Sequence, residues 1–231
     1  MSGMATKKRL DKRAALTPAV IKVGDGGRGF VVETKRGDRI VITAAHCLAG
    51  EGRQLPPAHP FSYLKERTYP KLLGPLGKAK PIIWAECLFA DPLADIAVLG
   101  SPDNQELCDE AEAYERLADT VTPFAIADAP KEGSKWVRPA YKGMKFSAFK
   151  APTPGKGAAL VLSLDGKWLE CTITRHGSGL SIDQEKIVKG GMSGSPILLT
   201  TGQPIGLVST GHLNPVLVDT LPPRIGIQRW R

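Results

Sequence analysis

The sequence predicts a mostly β protein with its own hydrophobic core. Its 231 residues are 42% hydrophobic, a content that supports one ordinary globular domain or two small ones. Its 25 glycines and 19 prolines are spread along the chain, which indicates many turns and disfavours a helical bundle. Short runs rich in Val and Ile lie between these turns and are typical of strands. We therefore expect an all-β fold of short strands joined by turns.

The first hundred residues contain a set of predicted strands and one predicted loop. The strands are expected at residues 19–23, 29–34, 39–43, 82–89 and 96–99. A tight turn is predicted at 35–38, and the third strand delivers the chain to His46. Residues 50–81 contain six prolines and several glycines, so we predict a long loop there with little regular structure.

An acidic, helix-favouring segment divides the chain into two halves. It contains Glu106, Asp109, Glu110, Glu112 and Glu115, and we predict a linker at this point, with one helix as an option. The second half returns to strands, expected at 136–141, 158–164, 168–174, 196–199 and 205–209. The predicted units are an N-terminal arm at 1–15, a first half at 16–102, the linker at 103–120 and a second half at 121–231.

The charge distribution and the termini limit the classes of partner. The net charge is +8, and Lys7, Lys8, Arg9, Lys12 and Arg13 make the N-terminal arm strongly basic. The arm lacks interleaved aromatic residues, so we interpret it as solvated rather than as a nucleic-acid site. No apolar stretch of secretory or transmembrane length is present, so we predict a cytoplasmic protein without a membrane partner.

The four cysteines do not form a recognisable metal or redox motif. They stand at positions 47, 87, 108 and 171, far apart and without the close pairs that bind zinc. We expect neither a disulfide scaffold nor a metal or cofactor. Sparse cysteines of this kind are typical of a reducing compartment.

A glycine-flanked serine in the second half has the surroundings of a catalytic nucleophile. A serine hydroxyl is a poor nucleophile at neutral pH, so it needs an imidazole to take its proton and a carboxylate to orient that imidazole. The segment KGGMSGSP at 189–196 supplies Ser193, and its glycines permit the tight turn that points backbone N–H groups toward one spot.

Four segments in order resemble trypsin-like serine proteases. They are TAAHC at 43–47, DPLADIAVL at 91–99, GMSGSP at 191–196 and GLVSTG at 206–211. The resemblance implies two antiparallel six-stranded β-barrels with the active site in the cleft between them. It implies a catalytic triad of His46, Asp95 and Ser193, with the backbone N–H groups of Gly191 and Ser193 as the oxyanion hole.

Each assignment has an alternative. Asp91 lies four residues before Asp95, but it precedes a proline and suits a turn, whereas Asp95 leads directly into an apolar strand. Ser195 is the rival nucleophile, although its neighbours make it part of the loop scaffold. His46 has a structural histidine as its alternative role, and among the other histidines only His212 is a candidate for the substrate pocket.

Two departures from the family pattern bear on control and compartment. Met192 stands where many activated members carry an aspartate that pairs with a newly cut N-terminus, so we expect no zymogen activation of that type. Cys47 has no upstream cysteine to pair with, unlike its counterpart in many secreted members. The run at 91–99 looks most similar to bacterial peptidases of the high-temperature-requirement and glutamyl-endopeptidase types.

The residues that would contact substrate are Ile187, Lys189, Ser209, Thr210, Gly211 and His212. Ile187 occupies the position where trypsin-type enzymes keep an acidic residue, so preference for Lys or Arg loses its usual cause. Gly211 would leave the pocket open for an apolar or small side chain. Lys189 with His212 keeps an acidic preference open.

Three functions are compatible with these observations. The leading one is a serine endopeptidase that acts on a limited set of protein or peptide substrates. Its activity is expected to be constitutive or to be controlled by loop ordering or by an activating or regulatory protein partner. The second is a viral-type protease that processes a polyprotein. The third is a protease-fold binding module for a protein partner or nucleic acid, against which the complete set of three catalytic groups argues.

Overall fold

The described residues form two mainly antiparallel sheets and one α-helix. A computed structural model describes residues 16–34, 36–49, 68–77, 79–91, 94–125, 155–176, 179–183, 187–209 and 218–219. The elements in chain order are β1 (Val20–Val23), β2 (Gly27–Glu33), β3 (Arg39–Thr43), β4 (Thr68–Pro75), β5 (Ile83–Asp91), β6 (Ile96–Gly100), α1 (Cys108–Asp119), β7 (Phe124–Ala125), β8 (Gly155–Leu162), β9 (Trp168–His176), β10 (Gly179–Ile182), β11 (Pro196–Leu199), β12 (Pro204–Leu207) and β13 (Val218–Asp219). The predicted all-β class is confirmed for these residues.

The first sheet closes into a six-stranded antiparallel barrel. Its strand order is β1-β4-β5-β6-β3-β2, and β1 also pairs with β2. β3 lies between β2 and β6, with Ile42 opposite Phe30 on one side and Val98 on the other. These three side chains are fully buried. Closure removes the exposed edges that an open sheet would present.

Strand β4 corrects the prediction of a loop over residues 50–81. Its eight residues lie inside that range and pair with β1 and β5. The prolines that suggested a loop are accommodated because the pairing with β5 slips between Tyr69 and Leu73, and Lys71 adopts a left-handed conformation with φ +50°. A bulge of this kind frees a proline from donating a ladder hydrogen bond.

The acidic segment contains one helix, α1, which the sequence predicts as one of two options for the linker. Helix α1 packs against the first barrel through Tyr114, whose Oη donates to the carbonyl oxygens of Arg39 at 3.1 Å and Leu99 at 3.3 Å. After the helix, β7 adds to the first sheet in parallel with β2, and the ring of Phe124 meets Phe30 edge-on at 6.0 Å. The division of the whole chain at 103–120 stays a prediction.

The second sheet has six antiparallel strands in the order β12-β11-β8-β9-β10-β13. Its two outer strands, β12 and β13, lie close to each other. Its own core includes Val161, Ile173, Met192 and Ile197. The predicted strand at 136–141 and the basic arm at 1–15 lie outside the described residues. In the described part of the chain, no helix has the length and apolar character needed to cross a membrane.

Candidate active site

His46 lies at the point where β3 leaves the barrel. His46 is part of a short 3-10 turn over Ala45–Leu48. Ala45 and Leu48 are completely buried and fix this turn to the core. In this turn the side chain of His46 is 40% exposed, and its imidazole faces the space between the sheets. The position follows from sequence: a buried strand ends, and the first polar side chain after it points outward.

Asp95 meets His46 from the turn between β5 and β6. Its Oδ2 accepts a hydrogen bond from His46 Nδ1 at 2.7 Å, and its Oδ1 accepts one from the backbone N–H of His46 at 2.9 Å. The backbone N–H of Ala45 donates to the Asp95 carbonyl oxygen at 3.2 Å. Asp95 adopts a left-handed conformation with φ +53°, which Asp tolerates better than most residues. The histidine segment and this turn are therefore fixed to each other at three points.

Asp91 has a different role. Its Oδ1 accepts the backbone N–H of Ala94 at 3.1 Å and so closes the turn that precedes Asp95. An aspartate that binds a backbone N–H three residues further on is typical of turns. Of the two candidate carboxylates, the structure brings Asp95 to the histidine.

Ser209 also binds Asp95. Its hydroxyl donates a hydrogen bond to Asp95 Oδ2, across 114 residues of sequence. Ser209 is predicted from sequence to bind substrate, and no sequence motif indicates its contact with Asp95. No local pattern pairs residues so far apart, so only the packing of the two sheets could show it.

These contacts set the charge of the pair. Burial acts to raise the pKa of Asp95, but hydrogen bonds from His46 and Ser209 outweigh it and hold that pKa below its usual value. The hydrogen bond to Asp95 raises the pKa of His46 above its ordinary value of 6.5. Because an ionised carboxylate only accepts, Nδ1 carries the proton and Nε2 of the neutral ring is left as an acceptor.

Ser193 lies in a loop whose shape depends on glycine. Gly191 and Gly194 have φ values of +87° and +79°, which side-chain-bearing residues rarely adopt. A Cβ on Gly194 would stand only 1.8 Å from the carbonyl oxygen of Arg28. The backbone N–H of Met192 donates to the Lys189 carbonyl at 3.1 Å, which closes a turn with Gly191 at its third position, as in type II turns.

Met192 anchors this loop from within. Its side chain is 1% exposed and belongs to the core of the second sheet. Its Sδ accepts the backbone N–H of Lys189 at 3.3 Å. The loop is thus held by a buried apolar side chain at the position where many activated trypsin-like proteases carry an aspartate.

The histidine and the serine share one cleft between the two sheets. The cleft has a volume of about 260 Å³, and its walls include His46, Gly191 and Ser193 together with the turn at 24–27. Ser193 is 6% exposed, and its carbonyl oxygen accepts the backbone N–H of Arg28 at 2.7 Å. The structure therefore brings the predicted nucleophile, the predicted base and both residues predicted for the oxyanion hole, Gly191 and Ser193, to the same space.

Only some of the predicted substrate residues lie among the described residues. Ile187 is half-buried against the second core and Lys189 is exposed. Thr210, Gly211 and His212 lie outside the described residues. Within the described ranges, no group of three or more His, Cys, Asp or Glu side chains could hold a metal ion. All four cysteines are free thiols, and Cys47 is buried beside His46.

No protein-family model matches the chain, and no curated protein matches its sequence. The chain is similar to the solved structure of the Rv3671c protease in its inactive form, at 17% identity over 95% of this chain and 90% of that one, with a TM-score of 0.46. It is similar to the active form of Rv3671c protease from M. tuberculosis, at 17% identity over 96% and 82%, with a TM-score of 0.44. It is also similar to the human pathogenic astrovirus serine protease, at 12% identity over 90% and 91%, with a TM-score of 0.47. The strand order and register of this chain define its fold independently of these similarities.

Proposed function

We propose that this chain is a serine endopeptidase in which His46, Asp95 and Ser193 form the catalytic triad. The observation that carries the proposal is the 2.7 Å hydrogen bond from His46 Nδ1 to Asp95 Oδ2, in a cleft that His46 shares with Ser193. A histidine bound to a carboxylate through Nδ1 presents Nε2 to a nearby hydroxyl. This is the arrangement that activates serine for acyl transfer.

The reaction follows from this geometry. Ser193 Oγ attacks the carbonyl carbon of the scissile peptide bond while His46 Nε2 takes the hydroxyl proton. The negative charge that develops on the carbonyl oxygen is stabilised by the backbone N–H groups of Gly191 and Ser193. His46 then gives the proton to the leaving amine, and an acyl-enzyme ester forms at Ser193. A water molecule, deprotonated by His46, hydrolyses that ester by the reverse sequence and regenerates the hydroxyl.

Asp95 has two tasks in this mechanism. Its carboxylate holds His46 in the tautomer whose Nε2 is free, and it stabilises the imidazolium that forms when the proton is transferred. The hydroxyl of Ser209 and the backbone N–H of His46 both bind this carboxylate, so its orientation is fixed before substrate arrives. Such preorganisation avoids a reorganisation cost during the reaction.

Met192 supports a mode of control without zymogen cleavage. A buried thioether cannot form the ion pair with a new N-terminus that an aspartate forms at this position. The turn at 189–192 is held instead by contacts that this segment makes itself. Four further points remain predictions. They are a regulatory protein partner, a limited set of substrates, the similarity to high-temperature-requirement peptidases and a cytoplasmic location.

The nucleophile is tested by labelling with a fluorophosphonate probe and intact-mass spectrometry. The serine oxygen displaces fluoride from phosphorus, so each labelled molecule gains the mass of one probe minus hydrogen fluoride. We expect one addition to the wild type and none to Ser193→Ala. Ser195→Ala is the matched control: its hydroxyl is completely buried without a hydrogen-bond partner among the described residues, so labelling should continue.

Two results would contradict the proposal. Labelling of Ser193→Ala at the wild-type rate would assign the reactive group to another residue. A folded wild type that stays unlabelled, alone and with candidate partner proteins present, would favour the binding module with protease fold.

A further inference from the structure

Arg28 is a buried cation that connects the two halves of the molecule. It belongs to β2 in the first barrel and is only 5% exposed. Its Nη1 donates to the carbonyl oxygens of Leu162 and Ser163, both at 3.0 Å, where β8 of the second sheet ends. These contacts span 134 and 135 residues of sequence. A single side chain thus ties the first barrel to the β8–β9 turn.

The backbone of the same residue holds the nucleophile loop. The N–H of Arg28 donates to the carbonyl oxygen of Ser193 at 2.7 Å. Its carbonyl oxygen accepts the hydroxyl of Thr43 at 2.6 Å and lies so close to Gly194 that no side chain fits there. Arg28 therefore contacts the nucleophile with its main chain and the second sheet with its guanidinium group.

The β8–β9 turn that Arg28 holds reaches the oxyanion loop. The turn is closed by its own hydrogen bonds, with Ser163 donating to the Lys167 carbonyl through N–H at 2.9 Å and through Oγ at 2.7 Å. It presents Leu164, whose Cδ2 is 3.4 Å from the position of a Cβ on Gly191. A shift of this turn would change the contact with the residue that supplies one oxyanion donor.

A purely structural role for Arg28 would cost folding free energy, because its charge is buried. Among the described residues, no carboxylate lies within ion-pair distance of its guanidinium group, and burial lowers the pKa of Arg28. A buried charge without a counter-charge destabilises a fold, whereas an apolar side chain of similar size would bury at lower cost. Only Arg combines a charge that resists deprotonation with several donors in a fixed plane.

We propose that Arg28 is a positioning residue for the acyl-transfer reaction, which sets the place of Ser193 and the oxyanion loop relative to His46 by binding the β8–β9 turn. This inference rests on the proposed function. Removal of the guanidinium group lets the second half shift against the first. Since a misplacement of about 1 Å in a reacting group costs on the order of 100-fold in rate, the effect should fall on the chemical step.

The test compares Arg28→Met with Arg39→Met in the full-length chain. Arg39 is a matched control because its Nη1 also donates to a backbone carbonyl, that of Ala118 at 2.8 Å, but on the side of the first barrel that carries α1. For Arg28→Met we expect a fall of about 10- to 100-fold in the fluorophosphonate rate at saturating probe, with the half-saturating concentration nearly unchanged. Arg39→Met should label like the wild type.

Two further measurements separate positioning from stability. Ethylguanidinium at millimolar concentration should raise the labelling rate of Arg28→Ala and leave that of the wild type unchanged. Amide hydrogen exchange of Arg28→Met should become faster at 160–166 and 192–195 but not in β5 and β6. If Arg28→Met does not fold, Arg28→Lys replaces it, with an expected rate between those of wild type and Arg28→Ala.

The outcomes distinguish the two proposals. An unlabelled wild type contradicts the proposed function, while hydrogen exchange still tests the link between Arg28 and the Ser193 loop. A labelled wild type with folded Arg28 variants that label equally fast overturns the positioning role. Unchanged exchange at 160–166 and 192–195 overturns it as well, whatever the activity.

Discussion

The two halves of the candidate site are held in place by different forces. On the first barrel, His46 and Asp95 are fixed by side-chain hydrogen bonds, with Ser209 as a third partner. In the second half, Ser193 is fixed by main-chain hydrogen bonds, by glycines at positive φ and by the buried side chain of Met192. Loss of the Asp95 carboxylate should therefore act on the chemistry alone, whereas substitutions around Ser193 at Met192 and Gly194 should act through shape and stability.

The largest effect is expected from Asp95→Asn. The amide group favours the wrong tautomer of His46 and does not stabilise the imidazolium, so the labelling rate should fall on the order of 10⁴-fold while the protein stays folded at 25 °C. Asp91→Asn is the control, because an amide oxygen can still accept the N–H of Ala94. Equal losses in both variants, measured with the same probe, would show that Asp95 has no special role.

Gly194→Ala should break the second half through sterics. A Cβ there would overlap the Arg28 carbonyl oxygen, so we expect a loss of about 4 kcal/mol or more in the free energy of unfolding, together with loss of labelling. Gly37→Ala is the control, since Gly37 has φ +87° but nothing within 4 Å of its Cβ position. It should cost only about 1–2 kcal/mol. Urea unfolding measures both, and similar losses would refute the steric explanation.

Met192 tests whether an apolar anchor holds the oxyanion loop. Met192→Ala should lower the free energy of unfolding by about 2–5 kcal/mol, because the buried site would be left as a cavity, and should slow labelling. Met192→Leu conserves volume and should cost less than about 1.5 kcal/mol. If the two variants unfold at the same urea concentration, packing at this position is not the anchor.

The smallest expected effect is a shift in pH dependence. His46 acts as a base only when neutral, so labelling should rise as the pH increases through its pKa, which the hydrogen bond to Asp95 raises above 6.5. In Asp95→Asn the raising interaction is lost, so the midpoint should move to lower pH. The proton resonances of the His46 ring, followed by NMR titration, measure both midpoints. An unchanged midpoint would place the raising interaction elsewhere.

Local patterns predicted the parts of the molecule that local sequence determines. The strand at 39–43 was predicted with the bounds that β3 has, because a run of β-branched residues between a glycine turn and the His46 segment permits little else. Strand β4 was missed because its prolines indicated a loop, and the bulge that accommodates them depends on pairing with β5. Proline content alone does not show which strand neighbours a segment will find.

The candidate site shows the same division. Short motifs predicted His46, Asp95 and Ser193 as site residues. In the structure His46 and Asp95 form a hydrogen bond, and Ser193 lines the same cleft as His46. The hydroxyl of Ser209 on Asp95 and the guanidinium group of Arg28 on the second sheet were not found. They connect residues 114 and 134 positions apart, and such contacts exist only once the two sheets have packed together.

Peptide cleavage is the most direct test of endopeptidase activity. A defined peptide library is incubated with the wild type or Ser193→Ala in ¹⁸O-labelled water, and the products are read by mass spectrometry. New peptide ends are expected only with the wild type, and each new carboxyl group should carry ¹⁸O from the water that hydrolyses the acyl-enzyme. The residues before the cut report the pocket preference. A wild type that is labelled at Ser193 yet cleaves no peptide would contradict the assignment as an endopeptidase.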